Sequence, residues 1–258
     1  MSQYFSYNYS GPAFQYFGVA HIAALLCIAA MCMALTRFKN SNEATKRTMR
    51  WTLAIILWGA EASWHIWNIY WGSWSDQFML PLNVCSVLIW LSGFMLIFRI
   101  FQIYEFAYFL GITACFNYLL TPDLGIYGFP HYRFIQIFIS HGFVIIAAVY
   151  MTTVEGFRPT WKSLWRVLLG TNLYMLAIYF INQALGSNYL MINVKPAQLS
   201  ILELMPPWPY YIIFMELIGI ACFILLYLPF VIKDRYERKR PNPRPRPEKG
   251  REAKGLSS

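Results

Sequence analysis

Charge is scarce in this sequence of 258 residues: Asp, Glu, Lys and Arg together make up 13%, about half the share of an ordinary soluble domain. A water-facing surface of normal size cannot be built from so few, which excludes a standard soluble fold. Met1 to Pro12 contains no Lys or Arg, and positive charge follows the first apolar run at Arg37, Lys39, Lys46 and Arg47. A cleaved secretory signal has the reverse order, so the first segment is expected to stay. Cysteine is missing from the loops: Cys27, Cys32, Cys85, Cys115 and Cys222 all lie in apolar runs, and no disulfide framework is readable. The absence of a GxSxG elbow removes a conventional serine hydrolase. Without a Walker loop there is no direct use of ATP, and without a lysine in the last apolar segment there is no retinal Schiff base. No HExxH pattern occurs; neither a metal nor a cofactor is expected.

Apolar and aromatic residues are what the chain has, at 58% and 19%. They gather into seven segments, at 14–36, 51–71, 80–98, 103–121, 134–154, 163–185 and 210–232, each near the ~20 residues that a bilayer core requires. Nineteen of the 21 Lys and Arg residues fall on one side of this arrangement, and only Arg133 and Lys195 on the other. Basic loops resist translocation, so the spacing predicts an all-α, polytopic seven-transmembrane-helix bundle of the plasma membrane with the N-terminus outside and the C-terminus cytoplasmic. Residues 1–232 form the membrane domain. Residues 233–258 are a basic, Pro-rich, disordered cytoplasmic tail that attracts anionic lipid headgroups. The net charge of +9 belongs mainly to that tail, so nucleic acid is not an expected partner; membrane lipids are. Gly186–Pro209, interrupted by Pro196, Pro206, Pro207 and Pro209, reads as a lid or interfacial segment over the external mouth.

Ionisable groups at membrane depth are costly and mark candidate sites. Glu61 falls near mid-bilayer with His65 one turn above it, an i,i+4 pair that is able to bond within its own helix. Asn83, Cys85 and Ser86 open the third segment, Asn117 lies near the outer end of the fourth, His141 is roughly 10 Å into the fifth, and Glu216 is two turns into the seventh. Nearly all fall in the external half, which predicts a polar pocket opening toward the outer leaflet above a cytoplasmic half of hydrocarbon and aromatic anchors. His131, in the loop GFPHYR, is expected to be solvated.

The stretches QFMLPLNVCSVLIW and FPHYRFIQIFISHGFVIIAAVY, with ALGSNYLMINVKPA before PPWPYY, resemble the YwaF-type integral membrane proteins. That family is distantly similar to the vertebrate transmembrane acyltransferase that moves fatty acyl chains between phospholipids. The resemblance implies a Cys–His pair, with the histidine falling on His141. The vertebrate nucleophile falls on Leu82 and the bacterial-type histidine on Asn83, while Cys85 stands three residues beyond Leu82. The expectation is therefore acyl transfer or lipid hydrolysis with Cys85 as nucleophile, His141 as base and Asn83 or Asn117 as oxyanion donor. Glu61, His65, Asn117 and Glu216 are the substrate-binding candidates. The alternative is a non-catalytic lipid- or solute-binding protein or a proton-linked transporter that uses Glu61, His65 and Glu216.

Overall fold

The computed structural model describes residues 3–195 and 206–239, and these are helical with no strand. The helices are α1 (Val19–Ala34, continued by a 3-10 turn at Leu35–Phe38), α2 (Glu43–Tyr70), α3 (Val84–Phe98), α4 (Phe101–Leu120), α5 (Tyr132–Thr153), α6 (Trp161–Leu185) and α7 (Tyr210–Lys239). Helices α1, α4, α5, α6 and α7 are long and apolar enough to cross a membrane. Helix α3 is apolar but only 15 residues long. Helix α2 has the length, but Glu61, His65 and Asn68 dilute its apolar run.

Helix α5 sits at the centre: 67% of its apolar stretch is buried, against 17% for α6 and 11% for α1 and α7. It packs against α1, α2, α3 and α4. The outer helices expose Leu169, Leu173 and Phe180 on α6 and Leu217 and Leu225 on α7. Such a surface is unsustainable in water, and this membrane protein presents it to lipid. Without a hydrophobic drive between helices in lipid, close backbone approach matters more. Gly93 on α3 lets the Trp58 indole of α2 approach the backbone closely: a Cβ there would sit 2.2 Å from Nε1, which donates to the Trp90 carbonyl at 3.1 Å.

The end of the bundle where α1, α3, α5 and α7 finish holds most of the described Lys and Arg residues and is called here the basic end. It is not plain hydrocarbon. Glu105 on α4 is 1% exposed, accepts from the Ser163 hydroxyl and pairs with Arg166 on α6. Glu155, just past α5, is bonded by Arg50 of α2 at 2.5 Å and by Arg99 of the α3–α4 turn at 3.0 Å. Neither carboxylate stands out in the sequence, because their arginines are distant along the chain. Helix α2 starts two turns earlier than its apolar run because the Asn42 side chain caps it, accepting from the Thr45 N–H at 2.8 Å. At the other terminus α7 runs on to Lys239, so the first residues of the expected extended tail are helical. Arg158 pairs with Asp234 at 2.6 Å. The segment PNPRPRP lies outside the described residues.

The opposite end is covered by a strap, residues 3–18. The Phe5 carbonyl accepts from Trp67 and Trp71, the Phe14 N–H donates to the Gly125 carbonyl, and the Gly128 N–H donates to the Pro12 carbonyl. His131 is its hub and is fully buried, not solvated as expected. Its Nε2–H faces the Ser6 carbonyl at 3.0 Å, and its Nδ1 accepts the Arg133 N–H at 3.1 Å, capping α5. That is the neutral tautomer with both nitrogens used. Burial pushes His131 below the usual histidine range, and the Arg133 charge adds to this against the raising effect of the Ser6 bond. The rings of Tyr9 and Tyr127 face it. A depressed histidine contributes stability in full above its unfolded value of about 6.5 and loses it as pH falls from there toward the folded value. Proteolytic cleavage of residues 3–18 is therefore expected to accelerate between pH 7.5 and pH 5. His131→Gln should be cut fast at both; a wild-type rate that does not change with pH would refute the switch.

The loop after α6 forms the rest of this end. Asn182 is 1% exposed; its Oδ1 accepts from Ser187 and Tyr189, and its Nδ2 donates to the Tyr189 carbonyl and to Asn193. Tyr189 in turn bonds the Asp76 carbonyl and the Leu80 N–H. Residues 186–195 are thereby tied across to the segment before α3. Residues 196–205 of the expected lid lie outside the described residues.

Candidate functional site

Pro81 cannot supply a helical N–H, and the chain turns through Leu82 and Asn83 before α3 begins at Val84. Asn83 is the cap residue but makes no cap bond; its Oδ1 accepts the Leu190 N–H at 3.1 Å. Cys85 is thus the second residue of the helix. Its backbone N–H and that of Ser86 have no intrahelical acceptor, and the positive end of the helix dipole favours a thiolate there. Leu82, preceding the helix, packs instead with Tyr189 and Ile192 under the α6 loop. Three residues apart, positions 82 and 85 still share no helical face, because only the second is in the helix.

Across from Cys85 stands His141 of α5. Its Nδ1 lies 3.1 Å from the Ile137 carbonyl and 3.0 Å from the Ser140 hydroxyl. A carbonyl only accepts, so Nδ1 carries the proton and Nε2 keeps its lone pair. The ring is held flat by Tyr118 of α4, stacked at 4.3 Å and 17°. Cys85 lies near enough to His141, and to a second thiol, Cys115 on α4, to interact with both electrostatically. Cys115 is fully buried, and Cys85 is packed against the same core.

A π-turn at Ala107–Gly111 interrupts α4 below this point. One inserted residue rotates all that follows by roughly 100° relative to a regular helix. The turn therefore sets which face of α4 Cys115 and Tyr118 occupy. Such turns recur at functional sites.

Glu61 of α2 completes the cluster. It interacts with Ser86 and lies close enough to Cys85, His141 and Arg133 to feel their charge. The residue is 3% exposed, and Oε1 has no hydrogen-bond partner, with His65 Nε2 at 3.8 Å. His65 turns its Nδ1 outward to accept from Trp74 at 3.1 Å. Arg133 lies flat on Trp64, 3.6 Å from the ring centre, and donates to Gln136. Gln136 bonds the Ala60 carbonyl. Beside this group, between α2 and α5, a recess of about 320 Å3 is lined by Ile56, Gly59, Ser63, Ile135, Gln136 and Ile139.

Of the residues singled out from sequence, the structure brings Cys85, His141 and Glu61 together, with His65 at the edge. Asn83 is turned to the α6 loop. Asn117 is exposed on α4 and its amide donates to the Thr113 carbonyl at 2.8 Å, away from the thiol. Glu216 bonds Asn172 between α7 and α6 at 2.6 Å, a separate place. A further buried histidine, His21 of α1, has both ring nitrogens engaged: the ring bonds the Leu119 carbonyl at 2.8 Å and the Phe17 N–H at 2.9 Å. Sequence reasoning missed Cys115, Tyr118 and Arg133. The first two are spaced i,i+3, a signal for a shared face, but Cys115 looked like one more small apolar residue. Among the described residues no group of His, Cys, Asp and Glu has the arrangement to hold a metal.

Residues 16–227, most of the chain, match the model of the TMEM164 family. No curated protein and no solved structure matches it.

Proposed function

The chain belongs to the TMEM164 family, and on that premise we propose that it is a seven-span plasma-membrane enzyme that transfers or hydrolyses acyl chains of membrane lipids. The strap end would face outward and the basic end inward, by the charge asymmetry of the loops. The observation that carries the reading is the Cys85 thiol at a helix N-terminus, near a histidine whose other nitrogen is already fixed. The resemblance to YwaF-type proteins and to the vertebrate acyltransferase supports the same chemistry.

In this scheme His141 Nε2 takes the Cys85 proton and the thiolate attacks the ester carbonyl. The oxyanion is met by the free N–H groups of Cys85 and Ser86, which take the role first expected of Asn83 or Asn117. The lipid alcohol leaves with the proton returned by His141. The thioester is then opened by water or by another lipid hydroxyl, with His141 again as base. Glu61, paired in turn with Ser86, orients the imidazole electrostatically. Its bare Oε1, with His65 beside it, is available to a donor on the lipid headgroup. The recess between α2 and α5 would admit an acyl chain sideways from the bilayer. Glu216 has no part in this site.

The test is direct: purified protein is incubated with a phospholipid carrying an isotopically labelled acyl chain. Label on Cys85 that is released by neutral hydroxylamine is the expected result. Lipid turnover that proceeds with no label there would remove the mechanism. The unpartnered oxygen of Glu61 also favours a second reading, proton-linked transport or solute binding. That reading requires uptake into proteoliposomes that follows a pH gradient and is indifferent to Cys85→Ala.

A further inference from the structure

Arg133 has no role in the acyl-transfer scheme, and no counter-charge is bound to it. It is half-buried in the first turn of α5, a candidate membrane span, where the positive end of the helix dipole disfavours a cation. The more exposed arginines Arg99, Arg158 and Arg166 each bind a carboxylate. Among the described residues Arg133 binds none. Trp64 covers one face of its guanidinium, 3.6 Å from the ring centre, and Gln136 accepts from Nη1. The Nε and Nη2 donors have no hydrogen-bond partner among the described residues. These N–H groups project from one edge of the guanidinium plane as the parallel pair that fits two oxygens of an anion. A cation held in this state inside a membrane protein marks a ligand position.

The recess between α2 and α5 supplies the rest of that ligand's shape. Gln136 belongs to both places, since it holds Arg133 and lines the recess. At the strap end the recess is rimmed by polar groups: the Tyr132 hydroxyl donates to Ser63 at 2.7 Å, and the Gln136 amide to the Ala60 carbonyl at 3.2 Å. About two turns toward the basic end, Ile56 and Ile139 make it apolar. An anionic group above and a hydrocarbon chain below match that polarity. A free anion would use the upper part alone.

We propose that Arg133 anchors a glycerophospholipid in this recess: Nε–H and Nη2–H bind the phosphodiester while one acyl chain lies between α2 and α5. This names the lipid class for the site assigned above, and it rests on that reading for the fate of the lipid. Trp64 and Gln136 hold the guanidinium plane so that its free edge is presented without rearrangement. A neutral glyceride, lacking the phosphate, leaves that edge empty and is held less tightly.

The test uses the full chain in detergent micelles containing equal amounts of diether phosphatidylcholine, the matching diether glycerol and oleate. None of the three has an ester to react, so binding is read apart from chemistry. Native mass spectrometry counts the lipid that each protein retains. Wild type is expected to retain phosphatidylcholine over the diether glycerol by about tenfold or more, the worth of two charge-assisted hydrogen bonds. Arg133→Gln should abolish the preference, and Arg133→Lys should keep part of it, as a point charge without the fork. Arg158→Gln, at the other end, should change nothing. Gly59→Leu narrows the recess at a position where a Cβ meets nothing within 4 Å, and should lower retention of both glycerolipids. It stands as the second variant if Arg133→Gln does not fold. Equal retention of the two glycerolipids by wild type, or a preference that survives Arg133→Gln, would overturn the anchor. So would phosphatidylcholine retained undiminished in Gly59→Leu. Displacement by excess inorganic phosphate would make this a site for the free anion, and oleate held in its place a site for fatty acid; either result removes the proposal. Ester-lipid turnover is measured separately. A preference without any turnover upholds the anchor and removes the acyl-transfer reading; turnover without a preference does the reverse.

Discussion

Cys85→Ala and His141→Ala are each expected to lower lipid turnover by about a thousandfold or more, and the double variant to be no worse than either single one. The two side chains form one device. Without the thiol, His141 has no proton to take; without the imidazole, the thiol of Cys85 lacks its base. What survives in either variant is lipid binding and the backbone donors at the start of α3, and these remain in the double variant too. Leu82→Cys placed in the Cys85→Ala chain makes a sharper test. If positions 82 and 85 shared a face, the new thiol would restore part of the activity. Leu82 lies before the helix, its carbonyl is bonded by Tyr174 at 2.7 Å, and its side chain packs beneath the α6 loop. No rescue is therefore expected. Steady-state turnover of a labelled phospholipid measures all four variants. Independent, multiplying losses for the two alanine variants, or recovery in the Leu82→Cys chain, would contradict this site.

The helices were legible because hydropathy is a one-dimensional signal: the seven apolar runs correspond to seven helices among the described residues, with ends displaced by up to about two turns. The displacements have local causes. Helix α2 gained its first turns from the Asn42 cap, and α3 lost its first residues to Pro81. The proximity of Cys85 and His141 was foreseeable only as a coincidence of depth, since depth ignores azimuth. Azimuth is also where the reading went astray. Asn117 has the right height on α4 but the wrong face, and Glu216 faces α6. The π-turn at Ala107–Gly111 shifts the phase of α4 in a way that no regular period reveals. His131 looked like a loop histidine, because the strap that buries it begins some 120 residues earlier. Glu105 and Glu155 were hidden by a related effect: an acid near a basic loop reads as solvated until its partner is known.

Glu155→Ala is expected to cost about 3–5 kcal/mol of stability, the range for removing one partner of a buried ion pair. The Glu155 side chain is 1% exposed and Arg50 7%. The carboxylate also receives the Tyr150 hydroxyl at 3.1 Å, while that hydroxyl sits 3.0 Å from the Lys46 carbonyl. One acid thus ties α2, the α3–α4 turn and α5 together. With alanine there, Arg50 stays buried with only Glu43, whose side chain is 64% exposed and holds it weakly. Glu155→Gln keeps an acceptor but not the charge, and should lose about 1.5–3 kcal/mol, the worth of a charged hydrogen bond. Arg99→Gly should behave differently. Arg99 adopts a left-handed backbone at φ 54°, a conformation that costs a non-glycine residue about 1–2 kcal/mol. Its guanidinium is 46% exposed, so the pair it forms is worth about 0–1 kcal/mol. Glycine relieves the first and forfeits the second, leaving stability unchanged or slightly raised. Unfolding in mixed dodecyl sulfate micelles, followed by tryptophan fluorescence, ranks the three. If Glu155→Ala unfolds no earlier than Arg99→Gly, the buried carboxylate is not what holds the basic end together.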